Sequence, residues 1–276
     1  MSLDTDVYGK TEDIYKESST KRRALGTRLV FPDGRVFRYA KSGAAIAIGR
    51  VCGTAAYTTK HAIDCPVNAA RTTAQWDAGT YTIQVATTAI GTGSTGDVVW
   101  ANRYDDGYIF ATDNAGQGQV LQIKSHTAGT TAASTPTFTM YDDDLLTIAL
   151  TTTSQVGIVK NMYDNVVTHT GTVGGGPAMG VSPIAVSAAN KYFWLQTWGP
   201  CPTIRGVLAT VRGQHVVVTN STDAGDTFTG TAGTGYPAFS TCTRLMYQGV
   251  HPRVGFTLVP STSSGDFDLT YLTIAV

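Results

Sequence analysis

Histidine is the side chain of this sequence best suited to acid–base chemistry near neutral pH, and it occurs five times. A hydrolase with a nucleophile elbow would place its serine in a Gly-x-Ser-x-Gly turn, which this chain lacks. A catalytic triad can be assembled from distant residues in any chain of 276 residues, so the histidines alone indicate no reaction. We interpret all five as structural or surface residues: His61, His126, His169, His215 and His251.

Two other groups of residues carry metal-ligand atoms. Cys52, His61 and Cys65 offer sulfur and nitrogen, but their spacing matches no zinc motif. The aspartates at 142–144 lack both the Asp-x-Asp-x-Asp-Gly loop and the distal glutamate of a calcium site. We interpret these aspartates, and the pair at 105–106, as polar turns. The sequence therefore predicts no metal, no cofactor and no enzymatic activity.

The composition indicates a β protein without strong electrostatic preferences. Lysine and arginine (20) balance aspartate and glutamate (20), which gives no reason to expect global attraction to nucleic acid or to an anionic membrane. Threonine occurs 44 times, and strand and turn formers replace the residues that favour surface helices. The four cysteines are scattered, so we expect them to be reduced and buried. The polar N-terminus resembles no signal peptide, and no apolar run approaches membrane-spanning length.

The predicted organisation is all-β, with one or two β-barrel or β-sandwich modules behind an N-terminal arm. Residues 1–25 lack an apolar period and are expected to be extended and ordered only by contact with something else. Residues 26–170 form the predicted first module and residues 171–276 the second. The seam is expected in the Gly/Pro-rich stretch at 168–183.

Short apolar runs separated by turn signals carry the strand prediction. The Asp-Gly pair within residues 27–40 predicts a hairpin with Leu29, Phe31, Val36 and Tyr39 buried. Further strands recur at the spacing of a barrel or sandwich. Their expected positions are 81–87, 96–102, 107–113, 119–125, 137–142, 145–150, 156–161, 184–188, 192–198, 206–212, 214–220, 244–250, 253–260 and 268–276.

The aromatic run KYFWLQTWGP at residues 191–200 is the sequence feature that most needs a partner. In a regular strand Tyr192, Trp194 and Trp198 face one side, while Phe193 and Leu195 face the other. Both faces are apolar, and leaving either in water would be a liability. Two interpretations remain open: a central strand packed between two layers, or a strand with one face completed by another subunit.

Lys21, Arg22 and Arg23 form a local basic cluster in the arm. We interpret the cluster as solvated or partner-facing rather than as a nucleic-acid site. Together with Tyr192, Trp194 and Trp198, it makes up the predicted interface.

Three stretches of the sequence resemble a known group of proteins: GTRLVFPDGRVFRYAKSG, DDGYIFATDNAGQGQVLQIKSH and AMGVSPIAVSAANKYFWLQTWGPC. They are similar to a family of structural proteins of tailed bacteriophages that are associated with the virion head. The similarity runs from about residue 25 to about residue 205 and is weaker beyond that point.

The resemblance implies a non-enzymatic virion component, with decoration (cement) of the capsid exterior as its role. Decoration proteins of this kind are β-barrel or β-sandwich modules, often trimeric, that clamp neighbouring capsomers and use an N-terminal arm. The implied partners are the major capsid protein and sister copies of this chain, without direct contact to nucleic acid or membrane. The protein would be made in the host cytoplasm.

Two alternatives to capsid decoration remain open. A tail-tube or other tail protein is also β-rich and oligomeric. A glycan-binding host-attachment module would expose aromatic side chains that stack on sugars, with Trp76, Trp100 and Tyr104 as its candidates.

Overall fold

The structure is a computed structural model that describes residues 6–8, 11–54, 65–67, 76–86, 102–129, 135–171, 176–206, 210–218, 227–229 and 253–274. Within these ranges the chain is essentially all-β, as predicted, with one short helix, α1 (Thr11–Ile14). The strands are β1 Asp6–Tyr8, β2 Arg28–Val30, β3 Val36–Lys41, β4 Val51–Gly53, β5 Cys65–Pro66, β6 Thr82–Gln84, β7 Tyr108–Asp113, β8 Val120–His126, β9 Thr137–Met140, β10 Gln155–Val159, β11 Val167–Thr168, β12 Ala178–Val181, β13 Tyr192–Ile204, β14 His215–Val218, β15 Thr227–Thr229, β16 Arg253–Val259 and β17 Phe267–Thr273.

The chain forms two compact units, one of which is an insertion within the sequence of the other. Unit 1 comprises the described residues of Tyr57–Asn161, and unit 2 comprises those of Asp4–Ala56 and Met162–Val276. This division differs from the predicted modules, 26–170 and 171–276, because β2, β3 and β4 belong to the same sheet as the strands that follow unit 1.

The Gly/Pro-rich stretch at 168–183 contains paired strands where the sequence predicts a seam. Both β11 and β12 pair with β4. Gly180 has φ +151°, and a Cβ there would lie 2.8 Å from the carbonyl oxygen of Gln196 and 2.9 Å from the Cβ of Leu195. Gly180 therefore allows β12 to approach β13 closely. From composition alone, a glycine that permits close strand packing looks the same as a glycine in a linker.

Unit 1 is a curled antiparallel sheet in the order β5-β10-β7-β8-β9-β6. Its two edges meet where Val67 bridges Val85 and where the Ala86 N–H donates to the Pro66 carbonyl at 2.9 Å. Alternate residues of the strands point inward, as the alternation of apolar and polar residues in the sequence predicts. Together these inward side chains form one buried core. The core includes Ile83, Val85, Ile109, Leu121, Ile123, Phe138, Met140, Val156 and Ile158.

Residues 145–150, predicted as a strand, are not one. The side-chain oxygen of Gln119 accepts hydrogen bonds from the N–H groups of Thr147 and Ile148, at 2.8 and 2.9 Å. The N–H groups of Leu146 and Leu150 donate to carbonyls before β6 rather than to a neighbouring strand. A side-chain amide thus replaces the expected sheet partner, and Leu146 and Leu150 still fill the core.

His126 is a buried neutral residue of the unit 1 core. Its Nε2 accepts the Tyr104 N–H at 3.0 Å, so Nδ1 carries the hydrogen and donates to the Thr127 carbonyl at 2.9 Å. The ring also stacks on Phe138 with centroids 4.9 Å apart. Burial lowers the pKa of His126 from its ordinary value.

We expect unit 1 to lose stability as the pH falls below about 6.5, the ordinary pKa of an unfolded histidine. The unfolded chain then binds a proton that folded His126 resists, so the contribution is complete above that pH and is lost towards the lower folded pKa. Urea unfolding of unit 1 between about pH 7.5 and about pH 5.5 measures the slope of the free energy of unfolding against pH. The slope should shrink in His126→Asn and persist in His215→Asn, which alters an exposed histidine. An unchanged slope in His126→Asn would contradict this assignment.

Unit 2 is built on one large sheet. Its main path runs β1-β2-β3-β13-β17-β16-β14-β15, and β4, β11 and β12 join it through pairs with one another and with β13. The predicted hairpin is confirmed: β2 pairs with β3, and the Gly34 N–H donates to the Phe31 carbonyl at 3.0 Å across the Asp-Gly turn. Its four predicted core residues are buried: Leu29, Phe31, Val36 and Tyr39.

Residues 11–25 do not behave as the predicted arm that is ordered only by a partner. Ile14 and Leu25 are buried in the hydrophobic core of unit 2. Ser18 forms a two-way backbone bridge with Tyr192, with N···O distances of 2.9 and 2.8 Å. The expectation failed because Ile14 and Leu25, two isolated apolar residues that form no periodic pattern, are enough to attach this segment to the core beside β13. Among the described residues, no helix is long and apolar enough to cross a membrane.

Candidate functional site

Two of the predicted basic residues and two of the predicted aromatic residues line one groove of unit 2. The groove has a volume of about 430 Å³ and lies where residues 13–23 cross the start of β13. Arg22 and Arg23 line the groove together with Tyr192 and Trp194. Lys21 is an exposed residue of the same segment but is not part of the groove lining. The complete lining is Asp13, Lys16, Glu17, Ser18, Arg22, Arg23, Leu29, Tyr39, Tyr192, Phe193 and Trp194.

The inner wall of the groove is a cluster of three aromatic rings. Trp194 lies directly across from Tyr39 in the β3–β13 register, with centroids 5.0 Å apart in an edge-to-face arrangement. The Tyr192 ring stacks on Tyr39 at 5.9 Å. Cross-strand aromatic pairs of this kind stabilise sheets. Because Trp194 is only 7% exposed and lies in the core, the interpretation as a central packed strand fits this part of β13.

Hydrogen bonds hold the charged residues at the rim of the groove in place, as Glu17, Lys191 and Arg22 show. Glu17 accepts from the hydroxyl and the N–H of Ser187 at 2.6 and 2.8 Å, and these bonds hold the pKa of Glu17 below its ordinary value. The Lys191 ammonium donates to the Ser19 hydroxyl at 3.2 Å. At the other end, the Arg22 N–H donates to the Tyr39 hydroxyl at 3.2 Å. The rim is therefore held in place by the folded subunit itself.

Trp198 lies apart from the groove because β13 contains a bulge. The register with β3 shifts between Gln196 and Trp198, so Trp198 is paired with Val36. Paired residues share a sheet face, and Val36 and Tyr39 lie on opposite faces of β3 because they are three residues apart. Trp198 is therefore on the face opposite Trp194. The expected single aromatic face becomes two separate surfaces.

The second surface is an apolar sheet face, formed by the later part of β13 with β17 and β16. Trp198, Tyr271 and Phe256 form an aromatic row across the three strands, with centroid distances of 5.9 and 5.2 Å. Large side chains beside this row are open to solvent: Val259 is 57% exposed, Phe267 45% and Leu269 36%. We call this surface the apolar face and define it by Trp198, Pro200, Pro202, Ile204, Phe256, Val259, Phe267, Leu269 and Tyr271.

Two prolines in β13 fit their positions in the sheet. After Trp198, β17 is the one strand that pairs with β13 in the described part of the chain. Pro200, Pro202 and Ile204 alternate along β13, so their nitrogens point to the same side, and the Ile204 N–H donates there to the Gly49 carbonyl at 3.1 Å. The strand therefore continues through the prolines without losing a hydrogen bond to β17.

The residues considered for catalysis or metal binding have structural surroundings where they are described. Cys52, Cys65 and Cys201 are buried free thiols, as expected, and burial raises the pKa of Cys52 to about 12. His169 accepts the Gly171 N–H at 2.8 Å and lies 2.9 Å from the Gly176 carbonyl. The described ranges contain no group of three His, Cys, Asp or Glu residues placed to hold a metal ion. His61, His251 and Cys242 lie outside those ranges.

The two predicted aspartate turns differ in the structure. Asp142 is exposed and pairs with Lys124 at 3.2 Å, as in a polar turn. Asp106 is instead fully buried and accepts a hydrogen bond from the Tyr141 hydroxyl at 2.8 Å. Asp106 has φ +61°, a conformation that aspartate tolerates better than most residues, and so it helps to shape the turn into β7.

The side chains that would favour glycan binding are not exposed where they are described. Tyr104 is buried in the core of unit 1, and Trp76 is partly buried against that core. Trp100 lies outside the described residues.

Comparisons of this chain with family models, with curated proteins and with solved structures find no match.

Proposed function

We propose that this chain is a structural virion protein that decorates a tailed-phage capsid and stabilises it by bridging neighbouring subunits. The observation that supports the proposal most directly is the apolar face. A monomeric protein rarely exposes a continuous apolar surface without a partner, and aromatic side chains are favoured anchors at interfaces. The resemblance of three sequence segments to head-associated phage proteins favours a tailed-phage capsid as the particle.

The two surfaces suit two kinds of contact. Interfaces between identical subunits are more apolar than transient ones, so we assign the apolar face to contacts between sister copies. The resemblance favours a trimer of the chain. The groove carries charges around an aromatic wall, and we assign it to the contact with the major capsid protein. In a particle, symmetry repeats each such contact and many modest contacts add together.

Point variants test this proposal better than deletion of the arm, because Ile14 and Leu25 belong to the core of unit 2. We expect the wild-type chain to sediment as a trimer and to bind undecorated heads assembled from the capsid protein of the same genome. Leu269→Lys should shift the chain to a monomer and reduce head binding by about tenfold or more. Ile148→Lys, at an exposed apolar residue of unit 1, is the matched control and should change neither property.

Other outcomes decide between the alternatives. A wild-type monomer that binds no head would overturn the proposal. Binding to isolated tails instead of heads would support the tail-protein alternative, and binding to host glycans would support the attachment module. A reconstruction of the particle that locates the chain would give the same decision independently.

A further inference from the structure

We infer that the groove binds a carboxylate-bearing segment of a neighbouring polypeptide, with Arg22 and Arg23 holding its Asp or Glu side chains. This inference rests on the proposed function in one respect, that the partner is another protein chain. It goes further by stating the chemistry that the partner must present.

The charge of the groove favours an anionic group beside Arg22 and Arg23. Arg22 and Arg23 are both exposed and form no salt bridge with any carboxylate of the described ranges. Arginine presents a planar fork of N–H donors that matches the two oxygens of a carboxylate. Two such forks at adjacent positions offer donors to which the described part of the chain brings no carboxylate.

The Tyr39 hydroxyl adds a further donor next to the arginines. It accepts the Arg22 N–H at 3.2 Å, and its own hydrogen is donated to no other described residue. Burial raises the pKa of Tyr39, and the hydrogen bond from the Arg22 N–H and the charges of Arg22 and Arg23 only partly oppose this effect. The hydroxyl therefore remains protonated at neutral pH and can donate to an incoming oxygen.

The two carboxylates in the groove limit the length of the anion that fits. Asp13 and Glu17 line the same groove, together with Lys16, so the lining has two carboxylates and three basic side chains. Glu17 keeps its charge through its bonds to Ser187. A continuous polyanion such as a nucleic-acid backbone would have to pass these carboxylates and would be repelled. One or two carboxylates held by Arg22 and Arg23, followed by an apolar residue against the Tyr192 ring, avoid that repulsion.

The test is a binding titration with a synthetic peptide that carries two Asp residues followed by Leu, compared with the same peptide carrying Asn. We expect saturable binding of the Asp peptide that weakens with added salt, and no binding of the Asn peptide. Arg22→Glu and Arg23→Glu should each weaken the binding by about tenfold or more, and Arg22→Lys should weaken it less. Arg212→Glu, at an exposed arginine of unit 2 outside the groove lining, should leave it unchanged.

Several results would overturn the inference. These are equal binding of the Asp and Asn peptides, unchanged binding in both glutamate variants, and tighter binding of an oligothymidylate than of the Asp peptide. Thermal unfolding of each variant checks that it is folded, and we expect it to be, since the Arg22 bond to Tyr39 uses the backbone N–H. The peptide assay needs no particle, so the groove is tested separately from capsid decoration.

Discussion

Replacing Trp194 by alanine should lower the free energy of unfolding of unit 2 by about 3–5 kcal/mol. The Trp194 ring is 7% exposed, lies in the core and packs edge-to-face on Tyr39, so its removal leaves a cavity beside a cross-strand aromatic pair. The loss of buried aromatic area and the residual cavity both destabilise the folded state. Denaturant unfolding followed by circular dichroism gives the change in free energy.

Trp198→Ala is the matched control for Trp194→Ala. Trp198 is half-buried and contacts Tyr271 on the apolar face, so we expect a smaller cost of about 1–2 kcal/mol. Its larger effect should be on association between copies. If both variants lose the same stability, or if Trp194→Ala impairs association alone, the assignment of these two tryptophans to different surfaces is incorrect.

The second large effect is expected at Gly255, where β16 passes close to the backbone of β17. A Cβ at this position would overlap the carbonyl oxygen of Tyr271 and lie 2.8 Å from its carbonyl carbon. These atoms belong to the paired strand and cannot move without breaking the sheet. We expect Gly255→Ala to destabilise unit 2 by about 3 kcal/mol, measured by the shift of the denaturant midpoint.

Gly265→Ala separates steric overlap from backbone strain. Gly265 has φ +86° and no heavy atom within 4 Å of an added Cβ, so alanine there meets only the unfavourable left-handed conformation. We expect a cost of about 1 kcal/mol. Equal costs at the two glycines would mean that β16 shifts away from Tyr271 and that the contact does not constrain the sheet.

Features that depend on neighbouring residues could be predicted from the sequence. The hairpin of β2 and β3 follows from an Asp-Gly turn between apolar runs, and its four buried residues were identified from the same stretch. In unit 1, β7, β8, β9 and β10 follow from alternation of apolar and polar residues. In each case the turn and the alternation lie within a few residues of one another.

Features that depend on distant residues were missed. The bulge in β13 separates Trp194 from Trp198, and it is set by the pairing with β3. The side chain of Gln119 takes up the N–H groups of a segment that the pattern marks as a strand. The groove depends on the bridge between Ser18 and Tyr192, so its basic and aromatic residues were identified separately, without a signal that they lie together.

The insertion of unit 1 into the sequence of unit 2 determines the order in which a nascent chain can form its contacts. Unit 1 is continuous, so all its described strand pairs are available once residue 161 has left the ribosome. The apolar hairpin of β2 and β3 emerges much earlier but waits for β13, which follows the whole of unit 1. High contact order slows folding and prolongs the exposure of apolar surface. The apolar side chains of the hairpin therefore lack their β13 partner until translation has passed residue 204.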